Sequence, residues 1–238
     1  MADIKFDNEK AARGESPVQL AVFDFDGTSI NGNSPVMLVR YLIRRKMLKN
    51  SVVIRILLWA AAYKLRLPQN ESWVRGLVFR AFLGMPREEA DEIMKKFYDE
   101  IVDPQFRKKA DEAMRAHTEA GHEVVIVSAT FEPIILRAMA LHCFDHQVST
   151  RMHVDSEGRY TCEVEGKPIE GEEKLKAIRQ FADEHYGAGK WELGYAYGDH
   201  HSDRTLLSIA RHAYAVTPDK PLARTARREG WEILDWNE

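Results

Sequence analysis

Leu20-Ala21-Val22-Phe23-Asp24-Phe25-Asp26-Gly27-Thr28 is the stretch of sequence that decides the fold. Four apolar residues in a row stop at Asp24, and Gly27 then supplies a turn residue. A short apolar run bounded by a turn is typical of a strand that is buried on both faces of a parallel sheet. The carboxylates therefore follow a predicted strand, at the edge where ligands bind to open α/β sheets.

The same pattern recurs along the chain. Val124–Val127 stops at Ser128, and Leu193–Tyr197 stops at Gly198-Asp199. Two further strands are predicted at Ala213–Val216 and Trp231–Leu234. Helical periodicity fills the gaps, over Pro104–Ala120, Glu132–Ala140, Glu172–His185, Asp203–Ala210 and Lys220–Glu229. This alternation predicts an α/β fold, a three-layer doubly wound parallel sheet.

The interval between the first two strands is unusually long. From Asp26 to Ser128 it far exceeds the roughly 30 residues of a βαβ unit, so an insertion is expected. Residues 32–103 have helical periodicity and no convincing strand, which predicts an inserted all-helical cap over the strand ends. The predicted division is a flexible leader at 1–17, a core domain at 18–31 and 104–238, and the cap at 32–103.

A β-hairpin is predicted in the second half of the chain. Val148–Val154 and Arg159–Glu163 are rich in β-forming residues, and they flank the turn sequence Asp155-Ser156-Glu157-Gly158. Two such runs around a glycine-containing turn are typical of a hairpin.

Composition excludes several classes of protein. The 238 residues are 45% hydrophobic and 30% charged, which favours a soluble globular protein. The net charge of −3 excludes a chain whose overall charge would attract nucleic acid. The longest apolar stretch, Val52–Tyr63, contains Arg55 and is shorter than the roughly 20 residues of a membrane span. The N-terminus has no secretion signal, and two cysteines predict free, mostly buried thiols in a reducing, cytoplasmic setting.

Asp24 and Asp26 are two residues apart, so their side chains point the same way along an extended segment. One carboxylate can attack a substrate while the other exchanges a proton, provided that their surroundings separate the two pKa values. An anionic phosphate repels a carboxylate, and a bridging divalent cation removes that obstacle. The alternative is that both aspartates only form the turn beside Gly27.

Polar residues follow the second strand and open a later helix. The Ser128 hydroxyl and the next backbone N–H can donate to a phosphate oxygen, although a helix N-cap is the alternative explanation. Lys174 and Lys176 compete for a role in neutralising phosphate and holding Asp24; the alternative is a solvated helix face.

The run from Gly198 to Asp203 contains a candidate metal ligand. Asp199, at a strand end, suits Mg²⁺, which prefers carboxylates and water. Asp203 can support a metal-bound water or Lys174. His200 and His201 lack a third ligand for a transition metal, so we interpret them as loop or substrate-facing residues.

Together these elements resemble the four motifs of the haloacid dehalogenase superfamily of phosphohydrolases. The helical insertion is similar to that of its phosphoserine-phosphatase-like branch, subfamily IB. The resemblance covers roughly residues 18–238 and implies a magnesium-dependent phosphatase. The matching pieces are Asp24-Phe25-Asp26-Gly27-Thr28, Val127-Ser128-Ala129-Thr130, Lys174, and Gly198-Asp199 through Asp203.

The resemblance implies a role for each matched residue. Asp24 is the expected nucleophile, which forms an aspartyl-phosphate, and Asp26 is the expected general acid and base, which the dehalogenase branch lacks. The expected ligands of Mg²⁺ are Asp24, the backbone carbonyl of Asp26, and Asp199. Asp203 is expected to contact these ligands or a metal-bound water and not the ion itself. The residues expected to contact phosphate are Gly27, Thr28, Ser128, Ala129 and Lys174.

Two departures from the family pattern matter. His200 and His201 stand where small residues are usual. Serine phosphatases of this branch carry a glutamate shortly after the first motif, and Asn31-Gly32-Asn33 supplies no acid there. Phosphoserine is therefore disfavoured as the substrate.

The sequence between Asp26 and Glu71 is basic and contains no acidic residue. Its charged residues are Arg40, Arg44, Arg45, Lys46, Lys49, Arg55, Lys64 and Arg66. We favour a cap helix that packs its apolar face internally. The alternatives are peripheral contact with an anionic membrane, as in the loosely similar cap of phosphatidylglycerophosphate phosphatases, or electrostatic attraction of an anionic substrate.

The sequence therefore predicts a cytoplasmic, Mg²⁺-dependent phosphatase that acts on a small phosphate monoester and binds no nucleic acid. Three alternatives remain open. They are a lipid-phosphate phosphatase at the membrane surface, a phosphoryl transferase on the same fold, and a non-catalytic module that binds phosphate or a partner.

Overall fold

The computed structural model describes residues 17–48, 51, 54 and 79–237. The strands are β1 (Val18–Asp24), β2 (Glu123–Phe131), β3 (His146–Thr150), β4 (Met152–Val154), β5 (Tyr160–Val164), β6 (Trp191–Gly198), β7 (His212–Val216) and β8 (Glu232–Leu234). The helices include α1 (Ser34–Arg44), α2 (Arg87–Phe97), α3 (Lys108–Glu119), α4 (Glu132–Met139), α5 (Glu172–Tyr186), α6 (Arg204–Leu207) and α7 (Lys220–Glu229).

Six strands form one parallel sheet in the order β3-β2-β1-β6-β7-β8. β1 lies inside the sheet between β2 and β6. Asp24 is the register partner of Val127 on β2, and Phe23 is the partner of Tyr197 on β6. The carboxyl ends of these three strands therefore meet at one edge, as their sequences predict.

The apolar runs explain why this sheet is buried on both faces. Along β1, Ala21 and Phe23 belong to one core cluster and Leu20 and Val22 to another. Helices α3 and α4 pack on the first face, and α5, α6 and α7 pack on the second. The predicted three-layer α/β fold is confirmed.

The predicted hairpin was wrong in its first half. Residues 148–150 belong to β3, which pairs with β2 at the edge of the main sheet, and only Met152–Val154 pairs with β5. Arg151 separates the two strands and lies exposed, with its Nε 2.6 Å from Glu132 Oε1. Because β3 is an edge strand and only half-buried over most of its length, it lacks the continuous apolar run of an interior strand.

The described parts of the insertion are helical. α1 and α2 are present, and α2 continues into a π-helical turn at Tyr98–Val102 and a 3₁₀ turn at Asp103–Gln105. α1 buries Leu38 and Leu42 and exposes its basic residues, which is the packing that we favoured, seen here for α1 alone. The cap bounds 32–103 stay a prediction.

Several predictions lie outside the described residues. They concern the leader apart from Pro17, most of the apolar stretch 52–63, and the basic residues Lys49, Arg55, Lys64 and Arg66. Within the described part of the chain, no helix is long and apolar enough to cross a membrane. Cys143 and Cys162 are free thiols, but Cys162 is exposed, so the expectation of mostly buried thiols was wrong for it.

Candidate active site

Asp24 is the last residue of β1 and lies almost fully buried, at 6% exposure. Its Oδ1 accepts a hydrogen bond from the Phe25 N–H at 2.7 Å, and its backbone carbonyl accepts one from Ser29 Oγ at 2.6 Å. Gly27 turns the following loop with a φ of 79°, and its N–H donates to Gly32 O at 2.9 Å. The loop thus fixes the orientation of the Asp24 carboxylate.

Lys174, in the first turn of α5, bridges two carboxylates. Its Nζ lies 2.7 Å from Asp24 Oδ1 and 2.6 Å from Asp203 Oδ1, and the residue is only 4% exposed. Lys176 is exposed and pairs with Glu173 at 2.7 Å instead. Of the two candidate lysines, the structure therefore brings Lys174 to Asp24.

The charges of Lys174, Asp24 and Asp203 act on one another at short range. Burial works against the charge of Lys174, but the carboxylates of Asp203 and Asp24 outweigh it and raise the pKa of the lysine. Burial raises the pKa of Asp24, and Lys174 opposes that rise. We conclude that Lys174 is charged and that it is the main group that favours the ionised form of Asp24.

Three acids form a candidate cation site. Asp24, Asp199 and Asp203 place one carboxylate oxygen each within 4.8 Å of one another. Asp203 is already engaged, because its Oδ1 contacts Lys174 and its Oδ2 accepts from the His200 N–H at 3.2 Å. Asp24 and Asp199 are therefore the better ligands, and carboxylate oxygens are the donors that Mg²⁺ prefers.

Asp199 is held close to the loop after β1. Its Oδ1 accepts from Thr28 Oγ1 at 3.3 Å, and a Cβ added to Gly27 would lie 2.1 Å from its Oδ2. Burial raises the pKa of Asp199 to about 6, and the neighbouring charge of Asp203 adds to that rise. Gly27 and Thr28, predicted as phosphate contacts, both touch this carboxylate.

Asp26 is held on the other side of the site by uncharged groups. Its Oδ1 accepts from the Ser34 N–H at 2.5 Å, and its Oδ2 accepts from Thr130 Oγ1 at 2.7 Å. Burial raises the pKa of Asp26, and these hydrogen bonds oppose the rise. The two aspartates of the first motif thus have different partners.

Ser128 lies on β2 beside this group and is 1% exposed. Its Oγ accepts from the Thr130 N–H at 3.0 Å, which leaves the hydroxyl proton for another acceptor. Ala129 follows it, half-buried, and α4 begins at Glu132. A helix that starts beside such donors favours a bound anion.

Three residues of the site were given no role by the sequence reasoning. Thr130 and Ser34 hold Asp26, and Arg107 braces the loop, since its Nη2 lies 3.3 Å from Gly27 O and its Nη1 lies 2.6 Å from Trp236 O. Thr130 had a usable signal, because it stands two residues after Ser128 in the second motif. Arg107 had none.

The two histidines of the fourth motif take no part in a metal cluster among residues 17–48, 51, 54 and 79–237. The His200 side chain accepts from the Ser202 N–H at 3.3 Å and is largely exposed, which agrees with a loop role. His201 opens the short 3₁₀ turn that ends at Asp203.

The haloacid dehalogenase-like hydrolase family matches residues 21–208 of the chain. The chain belongs to this family. A histidinol-phosphatase of Neisseria meningitidis is 29% identical over 232 residues, which cover 91% of this chain and 98% of that protein. The family is therefore the one that the four motifs resemble.

Solved structures of similar proteins show the same fold. A protein of unknown function from Bordetella pertussis superposes with a TM-score of 0.82 at 22% identity, over 93% of this chain and all of the other. A substrate-bound phosphoserine phosphatase superposes with a TM-score of 0.59 at 18% identity, over 92% of this chain and 94% of the other. The core is thus the Rossmann-like core of this family, of the phosphoserine-phosphatase-like type.

Proposed function

We propose that this chain is a Mg²⁺-dependent phosphatase that hydrolyses a small phosphate monoester through an aspartyl-phosphate on Asp24. One observation carries the proposal. The buried carboxylate of Asp24, at the centre of the sheet edge, contacts the buried Lys174 on one side. On the other side it lies close to the carboxylate of Asp199. A turn-forming aspartate needs neither partner, so the alternative of a purely structural Asp24 is disfavoured.

The proposed reaction has two steps. Asp24 attacks phosphorus, the bond from phosphorus to the ester oxygen breaks, and Asp26 gives its proton to the departing alcohol. Water then attacks the aspartyl-phosphate while Asp26 takes one of its protons. The bond between phosphorus and Asp24 breaks, and inorganic phosphate leaves.

The remaining residues orient the phosphoryl group. The Ser128 hydroxyl and the Ala129 N–H donate to its oxygens, and Lys174 neutralises charge while fixing Asp24. Asp24, Asp199 and the backbone carbonyl of Asp26 would hold Mg²⁺, which would offset the repulsion between the carboxylates and the phosphate. Asp203 orients Lys174 and does not touch the substrate.

A small metabolite is the proposed substrate class. The relative named histidinol-phosphatase matches this chain over nearly the whole length of both proteins. Residues 32–103, as a cap, would contact the leaving group and set specificity. α1 buries its apolar face, so its described residues favour a packed cap helix over one that lies on a membrane.

Phosphate release by the purified protein tests the proposal. The panel contains p-nitrophenyl phosphate, histidinol phosphate, phosphoserine, and phosphatidylglycerophosphate in vesicles, each with Mg²⁺ and with a chelator. Turnover that needs Mg²⁺ and disappears in Asp24→Asn supports it. Turnover without added metal, or undiminished turnover in Asp24→Asn, contradicts it. Activity confined to the vesicle arm would replace the small substrate by a lipid.

A further inference from the structure

Three polar groups of Ser34 and Thr130 form a hydrogen-bond network with the carboxylate of Asp26. Ser34 N–H and Thr130 Oγ1 each donate to one carboxylate oxygen, and Ser34 Oγ lies 2.7 Å from Thr130 Oγ1. Ser34 is fully buried and Thr130 is 3% exposed. Two hydroxyls that are buried this deeply need hydrogen-bond partners, and Asp26 completes their network.

The hydrogen bonds have a defined direction when Asp26 is ionised. Thr130 Oγ1 donates its one proton to Asp26 Oδ2, so in the hydrogen bond between the two hydroxyls Ser34 Oγ is the donor and Thr130 Oγ1 is the acceptor. Both donors that touch the carboxylate are neutral. They fix its orientation through hydrogen bonds to both carboxylate oxygens.

A hydroxyl can also serve the protonated acid. If Asp26 Oδ2 carries the proton, Thr130 Oγ1 can accept from it and donate to Ser34 Oγ in turn. The Ser34 N–H cannot reverse and keeps donating to Oδ1. The side chains of Ser34 and Thr130 can therefore hold Asp26 in either protonation state, without rearrangement of the heavy atoms.

We propose that Thr130, supported by Ser34, is a positioning residue that orients Asp26 toward the leaving group of the substrate. This inference rests on the proposed function, in which Asp26 protonates the departing alcohol. Thr130 lies near the end of β2, whereas Ser34 is the first residue of α1. The network therefore connects the acid to the first helix of the insertion, which the cap hypothesis places over the substrate.

Two aryl esters of similar shape test the inference. Nitrophenol is a good leaving group and needs little protonation, whereas phenol leaves slowly without an acid. The measured quantity is the ratio of kcat/KM for p-nitrophenyl phosphate to kcat/KM for phenyl phosphate, because kcat/KM reports phosphoryl transfer to Asp24. In Thr130→Val we expect this ratio to rise about tenfold, since a misplaced acid penalises only the poor leaving group.

Conservative and distant variants complete the design. Thr130→Ser keeps the hydroxyl and should preserve the wild-type ratio, and Ser34→Ala keeps the N–H and should raise the ratio about threefold. Thr225→Val removes a buried hydroxyl of α7 whose partner is Pro221 O, and it should leave the ratio unchanged. If Thr130→Val does not fold, Ser34→Ala carries the test.

The outcomes separate the two claims. A ratio within twofold of wild type in both Thr130→Val and Ser34→Ala overturns the positioning role while leaving the phosphatase intact. A wild-type protein that hydrolyses neither ester contradicts the proposed function, and the positioning role falls with it.

Discussion

The two sides of the candidate site hold their aspartates in different ways. On one side, Asp24 contacts the charged Lys174, which also forms an ion pair with Asp203. On the other side, two uncharged groups, the Ser34 N–H and the Thr130 hydroxyl, donate to Asp26. Two carboxylates in one five-residue motif thus receive different electrostatic surroundings from distant parts of the chain.

In the proposed reaction, this difference would let one loop supply both a nucleophile and an acid. A nucleophilic carboxylate must be ionised, and an adjacent cation favours that state. A general acid must accept a proton, and burial beside neutral donors permits it. The comparison therefore predicts that variants on the Lys174 side and variants on the Thr130 side have different consequences.

The largest effect is expected at the nucleophile itself. Asp24→Asn should lower the turnover of p-nitrophenyl phosphate by about 10⁴-fold or more, because no covalent intermediate can form. Phosphate release measures the loss, and circular dichroism checks the fold. If Asp24→Asn retains more than about one tenth of the wild-type activity, the assignment of Asp24 as the nucleophile is wrong.

Removal of the buried cation comes next. Lys174→Met leaves Asp24 and Asp203 buried without their counter-charge, and loss of one partner of such a group typically costs about 3–5 kcal/mol. We expect a large fall in Tm together with a loss of activity. Lys176→Met is the matched control, because its pair with Glu173 is exposed to solvent and should contribute little to stability. Equal effects of the two substitutions would contradict the difference between the lysines.

Gly27 offers a smaller and more local test. Its Cα faces Asp199, so Gly27→Ala would press a methyl group against that carboxylate and displace it. Activity should fall by about 10²-fold, the usual consequence of a reacting group misplaced by about 1 Å. Gly121 also has a φ of 79°, with no atom within 4 Å of an added Cβ. Gly121→Ala should therefore cost only the backbone strain of about 1 kcal/mol and leave activity intact.

A pH-dependent metal effect should be the mildest. Burial raises the pKa of Asp199 to about 6. In the absence of metal, the protonated form of Asp199 therefore stabilises the fold at low pH, and this contribution to the free energy of unfolding is lost as the pH rises through about 6. Added Mg²⁺ should raise Tm at about pH 7.5 and raise it less at about pH 5, where protons compete with the ion. Thermal scans of wild type and Asp199→Asn measure this. An equal Mg²⁺ effect in both proteins would contradict a role for Asp199 as a ligand.

Much of the fold was predictable because burial leaves a simple pattern. Interior strands such as β1 and β2 are covered on both faces, so their sequences are continuously apolar up to the residue where the strand ends. β3 was missed because it is half-buried at the sheet edge and separated from β4 only by Arg151. Its sequence therefore resembled the first strand of a hairpin.

The candidate site was predictable where its residues end strands, and much less so elsewhere. Asp24 ends β1, Asp199 follows β6 and Ser128 lies near the end of β2. All three are found from local sequence because parallel strands share one edge. The contact between Ser34 and Thr130 joins residues 96 positions apart through two hydroxyls. Serine and threonine are common in many surroundings, so only the contact between the first residue of α1 and the end of β2 identifies this pair as partners of Asp26.

Direct detection of the covalent intermediate tests the central claim most sharply. The protein with Mg²⁺ is mixed with p-nitrophenyl phosphate, quenched in acid within one turnover, digested, and sequenced by mass spectrometry. We predict one phosphoryl group on Asp24 in wild type, more of it in Asp26→Asn because the second step then lacks its base, and none in Asp24→Asn. Turnover with a phosphoryl group on another residue, or with no phosphorylated protein in either wild type or Asp26→Asn, would contradict the account.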